Sequence, residues 1–515
     1  MASPSLTLNK IISHPFLFFL FFFFFIFSCS TTLSYAIRTS PSSINNSNDL
    51  HHVSRAERLI RSLNLFPTKP ANIIRGGVGD DEDENVFVPG KIVEKNFSFL
   101  SIADSDHPSV DDLGHHAGYY ALIHTKAARM FYFFFESRNN KDDPVVIWLT
   151  GGPGCGSELA LFYENGPFKI TNNLSLVWND YGWDKASNIL FVDQPTGTGF
   201  SYTSDDSDIR HDENGVSNDL YDFLQAFFKE HSEFVNNDFY ITGESYAGHY
   251  IPALASRVHQ GNKNQEGIHI NFKGFAIGNG LTNPGIQYKA YTDYALDNQL
   301  ITKDEHQSIN KLIPPCEQAI QTCAKEGEKA CVTAYGKCES IFDSILSITG
   351  NINYYDIRKK CEVNMCYDLS SIEKFLNQEK VREALGVGKL EFVSCSKTVY
   401  YAMKGDWMKN LEVDIPNLLE DGIRLLVYAG EEHLICNWLG NSRWVHAMKW
   451  SGQEQFGASP TIQFVVNGSQ AGSLKSYGPL AFLKVNEAGH LVPMDQPEAA
   501  LEMITRWMKG TLTVT

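Results

Sequence analysis

The sequence predicts an α/β fold in which a mostly parallel central sheet carries helices on both faces. Short apolar runs bounded by Gly, Pro or Asn recur along the chain, and their lack of alternation suits strands buried on both faces. Helical patterns lie between such runs, and strands that alternate with helices imply a mostly parallel sheet. The predicted strands are residues 118–124, 129–136, 145–149, 189–192, 239–242, 272–277, 424–429 and 482–485.

One helical pattern is clear enough to place. It lies between the predicted strands 189–192 and 239–242, and Ser217 and Asn218 precede it as candidate N-caps. Its apolar residues at helical spacing are Leu220, Phe223, Leu224, Phe227 and Phe228. The interval therefore predicts a helix that turns one apolar face towards the sheet.

Composition bounds the class of protein. The 515 residues are 43% apolar, which suffices for one large domain with an insertion or for two or three smaller domains. A formal net charge of −17 argues against nucleic acid as a partner. It favours a soluble protein whose molecules repel one another.

The N-terminal segment has the features of a secretory signal peptide over residues 1–36. Lys10 and His14 precede a wholly apolar run at 16–27, which is too short for a comfortable membrane span. We therefore expect signal removal and no membrane anchor in the mature protein. Residues 37–85 are polar and end in an acidic run, so they are either a propeptide or a disordered leader, and the globular domain is expected over 86–515.

Cysteine usage agrees with an oxidising compartment. Ten cysteines are present, and the nine beyond the signal leave at least one thiol free or paired with another chain. No CxxC pair occurs, so we expect disulfides, no metal and no other cofactor. Residues 285–400, approximately, hold seven of the nine and break the strand rhythm, which predicts a disulfide-stapled cap insertion at the carboxyl edge of the sheet. The predicted glycosylation sites are Asn45, Asn96, Asn173 and Asn467.

Residues 239–250, FYITGESYAGHY, predict a nucleophile on a sharp turn. A strand-like run leads to Gly243 and Ser245, and a helical pattern follows. A serine on such a strand-to-helix turn, flanked by small residues, is the nucleophile elbow of α/β-hydrolases. The usual G-x-S-x-G pattern ends here in Ala247, with Gly248 behind it. Taken alone, the pentapeptide is more often a structural turn.

Three further stretches follow predicted strands, where an open α/β sheet carries its chemistry. Residues 150–155 (TGGPGC) let backbone N–H groups approach a ligand, as an oxyanion hole requires, although a plain glycine-rich loop is the alternative. Residues 428–437 follow a second strand. Residues 486–493 place His490 where a general base would stand, and a surface histidine is the commoner alternative. A nucleophile first and a histidine last is the order of α/β-hydrolases.

From about residue 86 to 509 the sequence resembles the serine carboxypeptidases, and among them the plant, carboxypeptidase Y-like type. The segments that carry the resemblance are 148–155, 161–168, 188–202, 241–252, 276–284, 435–441 and 489–497. The resemblance implies an α/β-hydrolase fold and the removal of single residues from peptide or protein C-termini through an acyl-enzyme, without a metal.

The resemblance also implies a role for each matching residue. Ser245 would be the nucleophile and His490 its base, with the backbone N–H groups of Gly152 and Tyr246 as the oxyanion hole. The residues implied to hold the substrate's terminal carboxylate are Thr150, Gly151, Glu164 and Glu244. The family more often has asparagine at position 150. The implied disulfides are Cys155–Cys395, Cys316–Cys338, Cys323–Cys331 and Cys361–Cys366, which leaves Cys436 as a free thiol beside the site.

One position departs from the family's pattern. The catalytic aspartate of the family stands two places before the isoleucine of the I-C-N run, and here that place holds His433. We expect this histidine to be able to accept a hydrogen bond but to be cationic at acid pH, where it would oppose protonation of His490. Glu431 and Glu432 are poor substitutes, because neighbouring side chains on an extended segment point to opposite sides.

Three functions stay open on the sequence alone. A peptidase is favoured by Glu164 and Glu244, which are expected to share a proton and to favour activity at acid pH. An acyltransferase would use the same serine to make esters. A catalytically silent relative that binds peptides or partners is favoured by His433. The secretory signal directs the protein to the vacuole or the extracellular space.

Overall fold

The computed structural model describes residues 87–97, 115–171, 173–350, 352–361 and 366–513. The predicted signal peptide, the predicted propeptide and the sequon at Asn45 lie outside these residues. Within them, no helix combines the length and the apolar character needed to cross a membrane.

A mixed sheet of eleven strands forms the centre of the described chain. The strand order across the sheet is β1-β2-β3-β7-β4-β8-β9-β10-β13-β12-β11, and β5 pairs with β6 in a separate two-stranded sheet. The strands are β1 (Ile92–Asn96), β2 (His115–Ala121), β3 (Arg129–Phe135), β4 (Val145–Leu149), β5 (Phe168–Ile170), β6 (Leu176–Trp178), β7 (Asn188–Val192), β8 (Phe239–Glu244), β9 (Phe272–Gly278), β10 (Arg424–Gly430), β11 (Ile462–Val466), β12 (Ser469–Tyr477) and β13 (Leu480–Val485).

The helices flank this sheet. They are α1 (Glu158–Tyr163), α2 (Glu213–Glu230), α3 (Ala247–Asn264), α4 (Pro284–Asp297), α5 (Lys303–Ile309), α6 (Ile313–Glu326), α7 (Glu328–Thr349), α8 (Ser370–Leu376), α9 (Glu379–Leu385), α10 (Lys397–Ala402), α11 (Ile415–Glu420), α12 (Trp438–Ala447), α13 (Gln453–Ala458), α14 (Val492–Asp495) and α15 (Pro497–Met508).

The middle of the sheet is parallel and buried on both faces. The pairs β7–β4, β4–β8, β8–β9, β9–β10 and β10–β13 are parallel, and the outer pairs are antiparallel. On β4, Val145, Ile147 and Leu149 belong to the core that contains α2 and α3. Val146 and Trp148 belong to the opposite core, with α1 and α15. Burial on both faces explains why such strands read as continuous apolar runs, and the predicted fold class is confirmed.

The structure corrects the predicted start of α2. The helix begins at Glu213, and Asp212 is its N-cap, because its carboxylate accepts the Gly215 N–H at 2.9 Å. Ser217 and Asn218, the predicted caps, lie inside the helix. The first turn of the helix is mostly polar. The apolar periodicity from which the helix was predicted therefore starts one turn after the helix itself.

Two other differences concern strands. Strand β2 begins at His115, three residues before the predicted start, and residues 122–128 form the turn, closed by the Leu122 N–H to the Ala128 carbonyl at 3.0 Å. Strands β11 and β12 were not predicted. They lie at the antiparallel edge of the sheet, where β12 is a largely polar, half-exposed segment without a strong apolar run.

The segment between β9 and β10 is helical and contains most of the cysteines. Disulfides Cys316–Cys338 and Cys323–Cys331 both join α6 to α7, and Cys361 is bonded to Cys366. Cys155–Cys395 joins the loop after β4 to the chain just before α10. The predicted insertion at 285–400 falls within this helical segment, and its bounds stay a prediction.

Candidate active site

The predicted nucleophile lies on a strained turn between β8 and α3. Ser245 has φ of 65°, a left-handed conformation that is unfavourable for a residue with a side chain. The Ser245 N–H donates to the Gly278 carbonyl at 3.0 Å, and the Ser245 carbonyl accepts the Leu281 N–H at 3.0 Å. The β9 end of the sheet therefore holds this residue in place from both sides.

Small residues are required at two places around this turn. A Cβ on Gly243 would clash with the Leu149 carbonyl oxygen and would lie 3.2 Å from the Ala247 methyl. A Cβ on Gly248 would meet the backbone of Leu281 at 2.5–2.7 Å. The turn therefore tolerates alanine at position 247, while Gly248 provides the close approach to Leu281.

The glycine-rich loop after β4 lies directly against the serine turn. A Cβ on Gly151 would clash with the backbone nitrogen of Tyr246, and Gly152 has φ of 112°. The Cys155 N–H closes the loop on the Gly151 carbonyl at 3.1 Å. The structure thus brings the two predicted oxyanion donors, at Gly152 and Tyr246, to neighbouring positions.

Both loops open into one cavity of about 110 Å³. Its polar lining includes Thr150, Gly151, Gly152, Glu244, Ser245, Tyr246 and His490. Its other lining is mainly aromatic and aliphatic, and includes Tyr288, Tyr291, Tyr355, Trp407, Ile435 and Cys436. All the predicted catalytic and binding residues line this cavity except Glu164 and His433, which lie behind it.

Glu164 and Glu244 form a buried carboxyl pair. Burial raises the pKa of Glu164 to about 8. Burial, together with the charge of Glu164, raises the pKa of Glu244 well above its usual range. Within the described residues, no N–H or O–H reaches either oxygen of Glu164 or Oε2 of Glu244. The two groups can hydrogen-bond to each other only with a proton between them, because two carboxylates offer acceptors and no donor.

One further acid bears on this pair, and a tryptophan orients the nearby Thr150. Asp495 lies in the segment 489–497 but was not predicted as a site residue. Its carboxylate accepts the Gly489 N–H at 2.8 Å, and its charge raises the pKa of both glutamates. The Trp148 Nε1–H donates to the Thr150 hydroxyl oxygen at 3.0 Å. The Thr150 hydroxyl proton is then directed away from Trp148, so threonine can donate a hydrogen bond where the family more often has asparagine.

His490 has no acid partner among the described residues. Its backbone N–H donates to the Tyr355 carbonyl at 2.8 Å, but its side-chain Nδ1 is buried without a hydrogen bond. Burial lowers the pKa of His490 to about 3. A base in this state resists the proton that it must accept from a serine nucleophile.

His433 lies beside His490 but bonds elsewhere. The two rings are in contact, with centroids 4.4 Å apart and planes tilted by 33°. The Cys436 N–H donates to His433 Nε2 at 3.1 Å, so that nitrogen carries no proton. His433 Nδ1 then holds the proton and donates to the Tyr355 carbonyl at 3.2 Å. Both ring nitrogens are therefore engaged, and neither is left to accept from His490.

Of the two expectations for His433, one is met and one is wrong. The ring does accept a hydrogen bond, as expected, but the donor is the Cys436 N–H and not His490. It was also expected to be cationic at acid pH, whereas burial, followed by the charge of His490, lowers its pKa well below the usual range. Tyr355 was missed from the sequence, because it precedes His433 by 78 residues and acts through its carbonyl.

The neighbouring acids do not fill the vacant role in this structure. Glu431 Oε1 pairs with Lys484 Nζ at 2.5 Å. Glu432 is half-buried, and its peptide N–H and carbonyl are bonded to Ala488 and Ile357. Neither is the partner of His490 Nδ1, which has none among the described residues.

Cys436 is the free cysteine of the described chain. It lines the cavity, and burial, followed by the charges of Glu339 and Glu244, raises the pKa of its thiol to about 12. A thiol in this state is protonated, so Cys436 contributes a small apolar surface to the cavity.

One cluster of potential metal ligands lies apart from the cavity. In the described part of the chain, ligand atoms of Glu94, His116 and His231 lie within 4.8 Å of one another. His116 Nδ1 is 2.6 Å from Glu94 Oε1, and His231 Nε2 is 2.9 Å from Glu94 Oε2. These contacts form a hydrogen-bonded network on β1, β2 and the end of α2, and none of the three residues lines the cavity.

Comparison with known proteins agrees with this geometry. Residues 106–510 match the family model described as serine carboxypeptidase. Serine carboxypeptidase-like 48 from Arabidopsis thaliana is 61% identical over 504 residues, covering 97% of each chain. Serine carboxypeptidase 3 from Triticum aestivum is 64% identical over 459 residues, covering 89% of this chain and 90% of that protein.

A solved structure supports the same assignment. The crystal structure of the prohormone-processing carboxypeptidase Kex1 from Saccharomyces cerevisiae superposes with a TM-score of 0.70 at 26% identity, covering 81% of this chain and 91% of that one. The family match spans most of the chain, and the serine turn, glycine loop and histidine loop meet at one cavity. The chain therefore belongs to the serine carboxypeptidase family of α/β-hydrolases.

Proposed function

We propose that this protein is a serine-type carboxypeptidase that removes single residues from peptide C-termini and turns over slowly. In this proposal Ser245 attacks the carbonyl of the last peptide bond, and His490 takes the serine proton and passes it to the leaving amine. The Gly152 and Tyr246 N–H groups stabilise the oxyanion. Their placement around one cavity supports these roles.

Recognition of a free C-terminus follows from the carboxyl pair. A carboxyl that keeps its proton donates a hydrogen bond to the substrate's carboxylate, while an ionised pair would repel it. Glu244 is at the cavity surface with Glu164 behind it, and Thr150 can add a second donor. This arrangement favours a peptidase over an acyltransferase, because an ester-forming enzyme has no need for a protonated carboxyl pair beside its serine.

Slow turnover rests on one observation, the unpartnered Nδ1 of His490. In a serine triad the acid fixes the tautomer of the base and stabilises the imidazolium that forms during the reaction. His433 is neutral, bonded to backbone at both nitrogens, and supplies neither effect. Loss of this role lowers turnover by about 10⁴ in well-studied serine proteases, while binding and the oxyanion hole retain part of the acceleration.

The test compares the natural protein with its His433→Asp and His433→Asn forms. Release of the C-terminal residue from an N-blocked dipeptide is measured for each. We expect the aspartate to raise turnover about 10³- to 10⁴-fold. The asparagine form is the matched control, since it has a similar size and no charge, and it should give little gain.

Four results would decide against the proposal or change it. Full activity of the natural protein with no gain in His433→Asp contradicts slow turnover. Loss of activity in Glu432→Gln would identify that carboxylate as the substitute acid. Transfer from an activated ester to an alcohol without peptide cleavage would favour the acyltransferase, and peptide binding without either reaction would favour the silent relative.

We also propose a secretory route to the vacuole or the extracellular space. Disulfides accord with folding in an oxidising compartment. The side chains of Asn96, Asn173 and Asn467 are exposed, as glycosylation would require. The boundaries at residues 36 and 85 remain predictions.

A further inference from the structure

A buried carboxylate lies behind Tyr246, on the side away from the cavity. The Tyr246 hydroxyl donates to Asp406 Oδ2 at 3.2 Å, and the two residues are 2% and 1% exposed. Asp406 follows α10 in the chain beyond Cys395, so it reaches the serine turn from a distant part of the sequence. It does not line the cavity, and the proposed reaction does not use it.

The Tyr246 ring is otherwise held by aromatic contacts. It stacks on His249 with centroids 4.7 Å apart at 21°, and it lies 5.2 Å from Trp407 at 42°. A third ring, Tyr250, lies 5.2 Å away in an edge contact. These contacts pack the ring but do not engage its hydroxyl, which is held by the hydrogen bond to Asp406.

Asp406 is itself fixed on several sides. Lys409 Nζ lies 2.8 Å from Asp406 Oδ1. The Asp406 N–H donates to the Met403 carbonyl at 2.9 Å, and the Lys409 N–H donates to the Asp406 carbonyl at 2.9 Å. Burial, followed by the charge of Asp406, raises the pKa of the adjacent Glu213 well above its usual range, so Glu213 stays protonated and leaves Lys409 to Asp406.

We propose that Asp406 is a positioning residue, which holds Tyr246 and thereby aims the Tyr246 N–H at the oxyanion. The inference rests on the proposed function, in which that N–H stabilises the transition state. Ser245 is in a strained conformation, so the peptide that follows it keeps its place only if the surroundings hold it. Oxyanion donors need placement to within about 0.5 Å, which a ring anchored at both ends can provide.

The test measures the rate at which an alkyl fluorophosphonate labels Ser245, in the natural chain and in its His433→Asp form. The serine oxygen bonds to phosphorus, the P–F bond breaks to release fluoride, and His490 takes the serine proton. The phosphoryl oxygen of the probe occupies the oxyanion position. We expect Asp406→Leu to slow labelling at least about tenfold, because it removes a hydrogen bond to a charged group. Tyr246→Phe should slow it similarly, and Asp406→Asn, which keeps an acceptor, should recover most of the rate.

Two controls separate positioning from general damage. The double variant Tyr246→Phe/Asp406→Leu should be no slower than Asp406→Leu, because both changes remove the same bond. Glu412→Gln alters a carboxylate in the same segment, where Glu412 Oε2 accepts from Asn283 at 2.7 Å, and should leave labelling unchanged. The dissociation constant for a peptide should be unaffected by Asp406→Leu, since the carboxyl pair lies elsewhere in the site.

An unchanged labelling rate in Asp406→Leu, or losses that multiply in the double variant, would overturn the inference. If Asp406→Leu does not fold, Tyr246→Phe tests the same bond from its other end. Absence of labelling in the His433→Asp form would overturn both this inference and the role of Ser245. Fast peptide cleavage by the natural chain would contradict slow turnover and leave the inference standing.

Discussion

At the scale of single residues, the backbone around position 433 decides what a histidine there can do. The Cys436 N–H and the Tyr355 carbonyl require one acceptor and one donor on the ring, and the neutral imidazole supplies both. Full burial disfavours the cation. The missing aspartate could be recognised from the sequence, but this bonding could not, because both partners of the ring are backbone groups.

The carboxyl pair leads to a prediction about pH. The pKa of Glu164 is raised to about 8, and that of Glu244 is also raised well above its usual range. The pair is therefore uncharged at lower pH and gains its first negative charge as the pH rises through about 8. The affinity of the Ser245→Ala variant for an N-blocked peptide should therefore stay constant from pH 5 to 7 and fall about tenfold by pH 9. Calorimetric titration of binding measures this change.

The controls for this prediction act on each partner of the contact. In Glu244→Gln the amide donates a hydrogen bond at every pH, so the affinity should depend less on pH. A peptide with a C-terminal amide carries no carboxylate to repel and should show no loss at pH 9. Binding of the free-acid peptide that strengthened towards pH 9 would contradict the protonated pair.

At the scale of elements, the crossing of α3 with the chain after β9 depends on one glycine. Gly248→Ala would place a methyl group 2.5–2.7 Å from the Leu281 backbone, and these backbone atoms cannot easily move away. We expect the change to lower the free energy of unfolding by about 1–3 kcal/mol and to slow serine labelling, since Leu281 also bonds to Ser245. Urea unfolding measures the first effect.

Gly336→Ala is the matched control for that change. Gly336 lies on the exposed face of α7, and a Cβ there would have nothing within 4 Å. The same substitution should therefore raise the free energy of unfolding by about 0.5–1 kcal/mol, because alanine favours a helix over glycine. Equal effects at the two glycines would show that local crowding at Leu281 is not the cause.

Elements also differ in how far the sequence could predict them. The buried parallel strands were predicted because every residue of a strand such as β4 is apolar. Strand β12, next to the edge strand β11, was missed because its exposed polar residues hide the alternation. The first turn of α2 was missed because its polar residues show no apolar spacing. Asp406 carries no local signal, since its partner Tyr246 lies 160 residues earlier in the chain.

At the scale of the whole molecule, the Cys155–Cys395 disulfide links the glycine loop to the segment that carries Asp406. It joins residues 240 apart, while Cys316–Cys338 joins residues 22 apart. Replacing both cysteines of a pair by alanine should therefore destabilise the protein by about 2 kcal/mol more for the first pair than for the second, from the entropy of loop closure. Denaturant midpoints of the two double variants measure the difference, and equal losses would contradict it.

The Cys436 N–H, which donates to His433, has a consequence for which residues position 433 can accept. A backbone donor at this place would serve a carboxylate as well as it serves an imidazole nitrogen, so the frame around position 433 remains suited to an anion. Histidine and aspartate codons differ by a single base. Under the proposed function, a single base change at codon 433 would therefore supply the acid of the triad, and the backbone donor that would receive its carboxylate is already in place.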